Sequence, residues 1–98
     1  MWIKINNDVL ERATRMTRRD KLIDRILRGS SDADIAFDEL CTLLAHFGFT
    51  LRVRGSHHLF SKSGIIGKIN LQRDGAKAKP YQVRQVRDVI VKYHLGGE

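Results

Sequence analysis

The amino-acid sequence predicts an α+β fold in two layers: a three-stranded antiparallel sheet with two helices on one face, in the order αβββα, preceded by an extra N-terminal helix. Three observations lead there. Apolar residues recur at helical spacing in two blocks, Phe37 to Phe47 and Val83 to Tyr93. Between the blocks the period falls to two, where Phe49, Leu51 and Val53 alternate with Thr50, Arg52 and Arg54. The length of 98 residues, 42% of them hydrophobic, suits one small domain with a modest core.

In chain order, residues 1–15 have weak periodicity and either extend the first helix or form a loose arm. Thr17 and Asp20 have the spacing of a capping box. Leu22, Ile23, Ile26 and Leu27 then share a helical face, and Gly29 suits a left-handed terminus, so a helix is predicted over about 17–28. Residues 29–34, "GSSDAD", read as a linker. This divides the chain into an N-terminal extension, 1–34, and a domain, 35–98. Phe37, Leu40, Cys41, Leu44 and Phe47 make the buried stripe of a helix over 36–47, with Gly48 as its C-terminal glycine. The strand at 49–54 is predicted to be half-buried, with Arg52 and Arg54 on its open face. Gly55-Ser56 is a turn or bulge, "HHLFSK" a second strand and "IIGKINL", residues 65–71, a third. Residues 72–80 form a loop with a turn at Asp74-Gly75. Pro80 opens the last helix as its first residue. Val83, Val86, Ile90 and Tyr93 face the core, Gln82, Arg84, Arg87 and Lys92 lie on other faces, and Gly96-Gly97 ends it.

Charge is distributed unevenly. Residues 1–50 hold 8 Lys/Arg and 8 Asp/Glu, whereas residues 51–98 hold 10 and 3, so the whole net charge of +7 lies in the second half. A basic field of this kind favours a polyanionic partner, nucleic acid first and an acidic protein second. No apolar run approaches the ~18 residues that would span a membrane. "MWIKINNDVL" lacks a secretory pattern, and the lone Cys41 supports no internal disulfide framework, so a soluble cytoplasmic protein is expected.

The chemistry-bearing stretch is "RVRGSHHLFSK", residues 52–62. Neighbours in a strand point to opposite faces, so His57 and His58 do not readily chelate one ion. No Cys or His spacing matches a zinc site, and no metal is expected. Ser56 beside His57 lacks the Gly-x-Ser-x-Gly elbow of a hydrolase and reads as a turn serine. General acid–base chemistry remains, because imidazole exchanges protons near neutrality and RNA carries its own nucleophile, the 2′-hydroxyl. By parity with Phe60, His58 packs inward, while His57 and Leu59 face the open side. Arg52, Arg54 and Lys68 would hold phosphates there. Lys77 and Lys79, just before the last helix, could join its N-terminal amides on a phosphate, or could equally be solubility residues in a loop. Arg84 and Arg87 read as a solvated helix face, and His46 and His94 as residues suited to helix C-terminal ends. The αβββα order is also that of the double-stranded RNA-binding domain, which reads phosphates and 2′-hydroxyls.

"RVRGSHHLF", preceded by a helix ending "FGF" and followed by "KINLQRDGAKAKPYQVRQVRDVI", resembles the HicA toxins of bacterial type II toxin–antitoxin systems. The likeness covers about residues 35–95, and Gly55-Ser56-His57-His58 is its most specific part. It implies a fold similar to the double-stranded RNA-binding domain and the activity of a ribosome-independent mRNA interferase. It further implies His57 as the catalytic histidine, with Gly55 needed for its placement and His58 as a second candidate. No cofactor is implied. The implied partners are mRNA and a HicB-like antitoxin, and DNA would be met only through the antitoxin complex. The chain departs from short HicA proteins in having about 35 residues before the helix at 36–47, and Met16 is a possible alternative start. Two other readings are a non-catalytic RNA- or DNA-binding module of the same fold, and a small scaffold that binds an acidic protein.

Overall fold

The computed structural model describes residues 16–96. Expectations for residues 1–15 and for Gly97 lie outside them. The described chain is α+β, with three α-helices, a three-stranded antiparallel sheet and a separate two-stranded sheet.

Helix α1 spans Arg18–Arg28. Its capping box is complete: the Asp20 amide donates to Thr17 Oγ1 at 3.1 Å and the Thr17 amide to Asp20 Oδ2 at 3.2 Å. Gly29 adopts φ 73° and closes the helix on the Arg25 carbonyl. Leu22 and Ile26 are buried, whereas Leu27, expected on the same face, is exposed. Helix α1 therefore adds side chains to the same core as the rest of the chain rather than standing apart from it.

The expected linker is a built connection. Residues Asp32–Asp34 form a 3-10 turn, labelled η1. Arg87 from the last helix forks onto Asp32, Nη1 to Oδ1 at 2.9 Å and Nη2 to Oδ2 at 3.1 Å, and Nη1 also donates to the Ile26 carbonyl at 3.0 Å. Arg87 is thus a tertiary clamp rather than a solvated residue. Its hydrogen bond to Asp32 raises its pKa further and secures the positive charge.

Helix α2 spans Phe37–His46 and buries Phe37, Leu40, Leu43 and Leu44, with Cys41 and Phe47 partly buried. It ends in a Schellman motif at Gly48, φ 94°: the Phe49 amide reaches the Leu44 carbonyl and the Gly48 amide the Ala45 carbonyl.

Strands β1, Thr50–Arg54, β2, His57–Ser61, and β3, Ile69–Leu71, pair antiparallel in the order β1-β2-β3. The register sets Arg54 opposite His57, Val53 opposite His58 and Leu51 opposite Phe60. It then sets His58 opposite Leu71, Leu59 opposite Asn70 and Phe60 opposite Ile69. Phe60, Ile69 and Leu71 join the core shared with the helices. Two expectations fail here. Strand β1 is exposed along its whole length, with Leu51 49% and Val53 54% accessible, because the described helices do not extend over this edge of the sheet. The third strand is three residues long rather than seven, because Gly64 and Gly67 adopt φ 88° and 85°, which breaks an extended ladder. Ile65 is partly buried and Ile66 fully turned out.

Residues 73–78, expected as loop, form a hairpin, β4 Arg73–Asp74 and β5 Lys77–Ala78, around Gly75. The Phe37 amide donates to the Ala76 carbonyl and the Ala78 amide to the Ile35 carbonyl, so the hairpin straps the entry to α2. Helix α3 spans Pro80–Tyr93, with Pro80 at its first position. It buries Val83, Val86 and Ile90 and also Gln82, which was expected on another face. Gln82 Oε1 accepts the Gln72 amide at 3.2 Å, which accounts for a buried amide side chain at the end of β3. The helix ends at His94 in a left-handed conformation, φ 55°, before the expected Gly96-Gly97. No helix among the described residues is long and apolar enough to cross a membrane.

Candidate functional site

The two-residue loop Gly55-Ser56 sets the site. Arg54 and His57 flank it as directly paired residues, so the hairpin carries no bulge. Gly55 takes φ 57°, the positive value that the first position of a tight hairpin turn of the II′ class requires. A Cβ there would meet nothing within 4 Å, so glycine answers to backbone conformation rather than to crowding. The turn is braced by Gln72 Nε2, which donates to Ser56 Oγ at 3.2 Å.

With no bulge, side chains alternate strictly. Arg52, Arg54, His57 and Asn70 share the outer face and are all exposed, and half-buried Leu59 lies among them. Lys68 is exposed at the entry to β3. His57 Nδ1 lies 3.1 Å from Asn70 Oδ1. An amide oxygen only accepts, so in this contact Nδ1 is the donor, which leaves Nε2 of a neutral ring as the acceptor. Residues directly opposite in an antiparallel pair bring their Cβ atoms to about 5 Å, so the Arg54 guanidinium has its root beside the imidazole.

His58 lies on the inner face. Its ring meets Phe37 edge-on, with centroids 5.0 Å apart and planes at 84°. Its Nδ1 is sealed from solvent and has no hydrogen-bond partner among the described residues. Arg73 stacks on Phe37 4.5 Å from its centroid and pairs with Asp38, close to Cys41. Burial, with a smaller contribution from the Asp38 charge, pushes the Cys41 thiol up to about 11, so it stays protonated at neutral pH.

The cations divide into two groups. Arg25, Arg28, Arg73, Lys77 and Arg87 each pair with an aspartate. Among the described residues, no carboxylate pairs with Arg52, Arg54 or Lys68, nor with Arg18, Arg19, Lys21, Lys62, Lys79, Arg84 or Lys92 off this face. Lys77 therefore belongs with the structural ion pairs. It is bound to Asp34 and stands on the β4–β5 hairpin, not on the sheet that carries His57. Lys79 is the half-buried N-cap position of α3, again off that sheet, and its side chain caps nothing. Among the described residues, no three His, Cys, Asp or Glu side chains gather as a metal site would require.

Asn70 is the site residue that sequence reasoning missed. A polar residue between Ile69 and Leu71 shares parity with the open face, which was the available signal. Its pairing with His57, 13 residues away, depends on the β2–β3 register. No protein-family model matches this chain, and neither a curated protein nor a solved structure matches it.

Proposed function

We propose that this chain is a HicA-like toxin: an endoribonuclease that cleaves mRNA by acid–base chemistry at His57 and is held in check by a HicB-like antitoxin in the cytoplasm. The observation that carries the reading is the orientation of His57 by Asn70, beside Arg54 on an exposed basic sheet face. The helix–three strands–helix core, from α2 to α3, is in keeping with a double-stranded-RNA-binding-domain-like fold, to which this chain adds α1 and the β4–β5 hairpin.

In this mechanism Nε2 of His57 takes the proton of a ribose 2′-hydroxyl. The 2′-oxygen attacks the adjacent phosphorus and the bond to the 5′-oxygen breaks, leaving a 2′,3′-cyclic phosphate. The imidazolium formed returns its proton to the departing 5′-oxygen. Arg52, Arg54 and Lys68 bind phosphate and offset the charge that builds on it. Gly55 sets the turn that aims His57. His58 has no part in the chemistry, because its ring faces the core.

The test is cleavage of RNA by wild type and by His57→Ala with the fold verified, each with and without EDTA. Loss of cleavage with retained RNA binding is expected. Undiminished cleavage by His57→Ala removes the catalytic assignment. One observation favours a second reading, non-catalytic RNA or DNA binding: among the described residues, the outer face of β1, β2 and β3 holds no second His and no Asp or Glu beside His57. On that reading neither protein cleaves, and neutralising Arg52 or Arg54 lowers the salt slope of binding by about 1 each.

A further inference from the structure

Strand β1 is an edge of its sheet, and its partner β2 occupies one side only. In a hairpin with a two-residue loop the flanking pair, Arg54 and His57, exchanges both backbone hydrogen bonds, and the alternation then runs down the strand. Arg52 and Thr50 likewise turn their amides and carbonyls to β2. Leu51 and Val53 turn theirs outward, to the open edge. These are the same two residues whose apolar side chains stand 49% and 54% accessible on the inner face. On the outer face of the same strand stand Arg52 and Arg54, without a described carboxylate partner. Among the described residues, the strand thus offers free backbone groups, an unfilled apolar strip and two unpaired positive charges, each on a different side.

We propose that the β1 edge accepts an extended strand from a partner protein, one that alternates apolar and acidic side chains. Backbone pairing would be made through Leu51 and Val53. The partner's apolar residues would continue the strip over Leu51 and Val53, and its carboxylates would lie across from Arg52 and Arg54. A second copy of this chain fits less well. Antiparallel self-pairing about residue 52, 53 or 54 sets arginine opposite arginine, and like charges directly opposite are destabilising; the register about Leu51, which sets Arg52 opposite Thr50, avoids this but leaves Arg54 beyond the paired segment without a carboxylate. The net charge of +7 also favours an acidic partner over a copy. Docking here would set the partner strand next to Arg54, itself paired with His57, and so beside the outer face. This gives a mode of contact for the antitoxin of the preceding section. It rests on that reading only for who the partner is, since the surface is tested without RNA.

The experiment uses the full chain, isotope-labelled, and a synthetic eight-residue peptide alternating valine and glutamate, followed by amide shifts and hydrogen exchange. Binding with slowed exchange at Leu51 and Val53, and none along β3, is expected. Val53→Pro removes an outward amide that no described strand uses, which an edge strand tolerates, and is expected to abolish binding while the remaining spectrum holds. Arg52→Glu/Arg54→Glu is expected to weaken the peptide about tenfold or more and to bind a valine–lysine peptide instead. This charge-reversed protein carries the test if the proline variant does not fold. Absence of peptide binding at millimolar concentration, binding indifferent to these variants, or self-association of the free chain through the same edge overturns the proposal. Failure of His57→Ala to stop RNA cleavage leaves it standing, so the two readings fail separately.

Discussion

Replacing His58 with phenylalanine should stabilise the protein and leave RNA cleavage intact. The imidazole sits edge-on to Phe37 with Nδ1 sealed and without a partner among the described residues. A buried polar atom without a partner costs about 1–3 kcal/mol. Phenylalanine removes that cost and keeps the edge-to-face contact, itself about 0.5–1.5 kcal/mol. The slightly larger ring works against this through tighter packing. The balance is a gain of about 1 kcal/mol, or a rise in Tm of about 4–8 °C for a domain of this size. His58→Ala, which loses the ring contact and leaves a void, should instead cost roughly 2 kcal/mol. Thermal and urea unfolding followed by circular dichroism measure both, with equal m-values required for the comparison. A His58→Phe protein destabilised by more than about 1 kcal/mol would show that Nδ1 has a partner that stabilises it. Loss of cleavage in that variant, with cleavage surviving in His57→Ala, would exchange the roles of the two histidines.

Two further outcomes follow from the site and from the ion pairs. Asn70→Ala frees the His57 ring from its acceptor, a bond of about 1 kcal/mol, so kcat for RNA cleavage should fall about fivefold with KM little changed; nitrogen-15 spectra should show more of the Nε2–H tautomer, and an unchanged tautomer ratio would refute the orienting role. Asp34 titrates below the ordinary carboxylate range, chiefly because the Lys77 ammonium hydrogen-bonds it and secondly through their charge attraction. A depressed carboxyl contributes stability that is present above its unfolded value of about 3.9 and is lost as pH falls through the lower folded value. In an NMR titration, Lys77→Ala should return Asp34 towards its ordinary midpoint and flatten that part of the acid unfolding curve. A midpoint unmoved by the substitution would assign the shift to another cause.

The local features were those legible in the sequence. The capping box of Thr17 and Asp20, the glycine after α2 and the proline that opens α3 depend on neighbours a few residues away, and spacing reveals them. Strand parity likewise separates His57 from His58, since a tight turn leaves no other register. What escaped depends on distant partners. Asp32 and Arg87 are 55 residues apart, and Asp34 and Lys77 are 43 apart, so nothing local marks them as pairs. Arg87 on a helix face and Lys77 beside a turn look like solvated cations until the fold brings a carboxylate to each. Alternation correctly put Leu51 and Val53 on one face, but period alone does not tell whether a helix reaches far enough to cover that face. The third strand was overestimated for a different reason: Ile65, Gly67 and Ile69 alternate well, yet the glycines take backbone angles that no strand accepts.

The bare strand β1 has a cost that no binding assay would register. Two exposed β-propensity side chains on an unpaired edge are the ordinary seed of sheet-to-sheet aggregation. Arg52 and Arg54, alternating with them, are placed as gatekeepers that would oppose most pairings of identical edges. The residues that would grip phosphate therefore also keep the free protein dispersed. Neutralising both should lower the concentration at which the chain precipitates, so loss of activity in such variants has to be read beside their solubility.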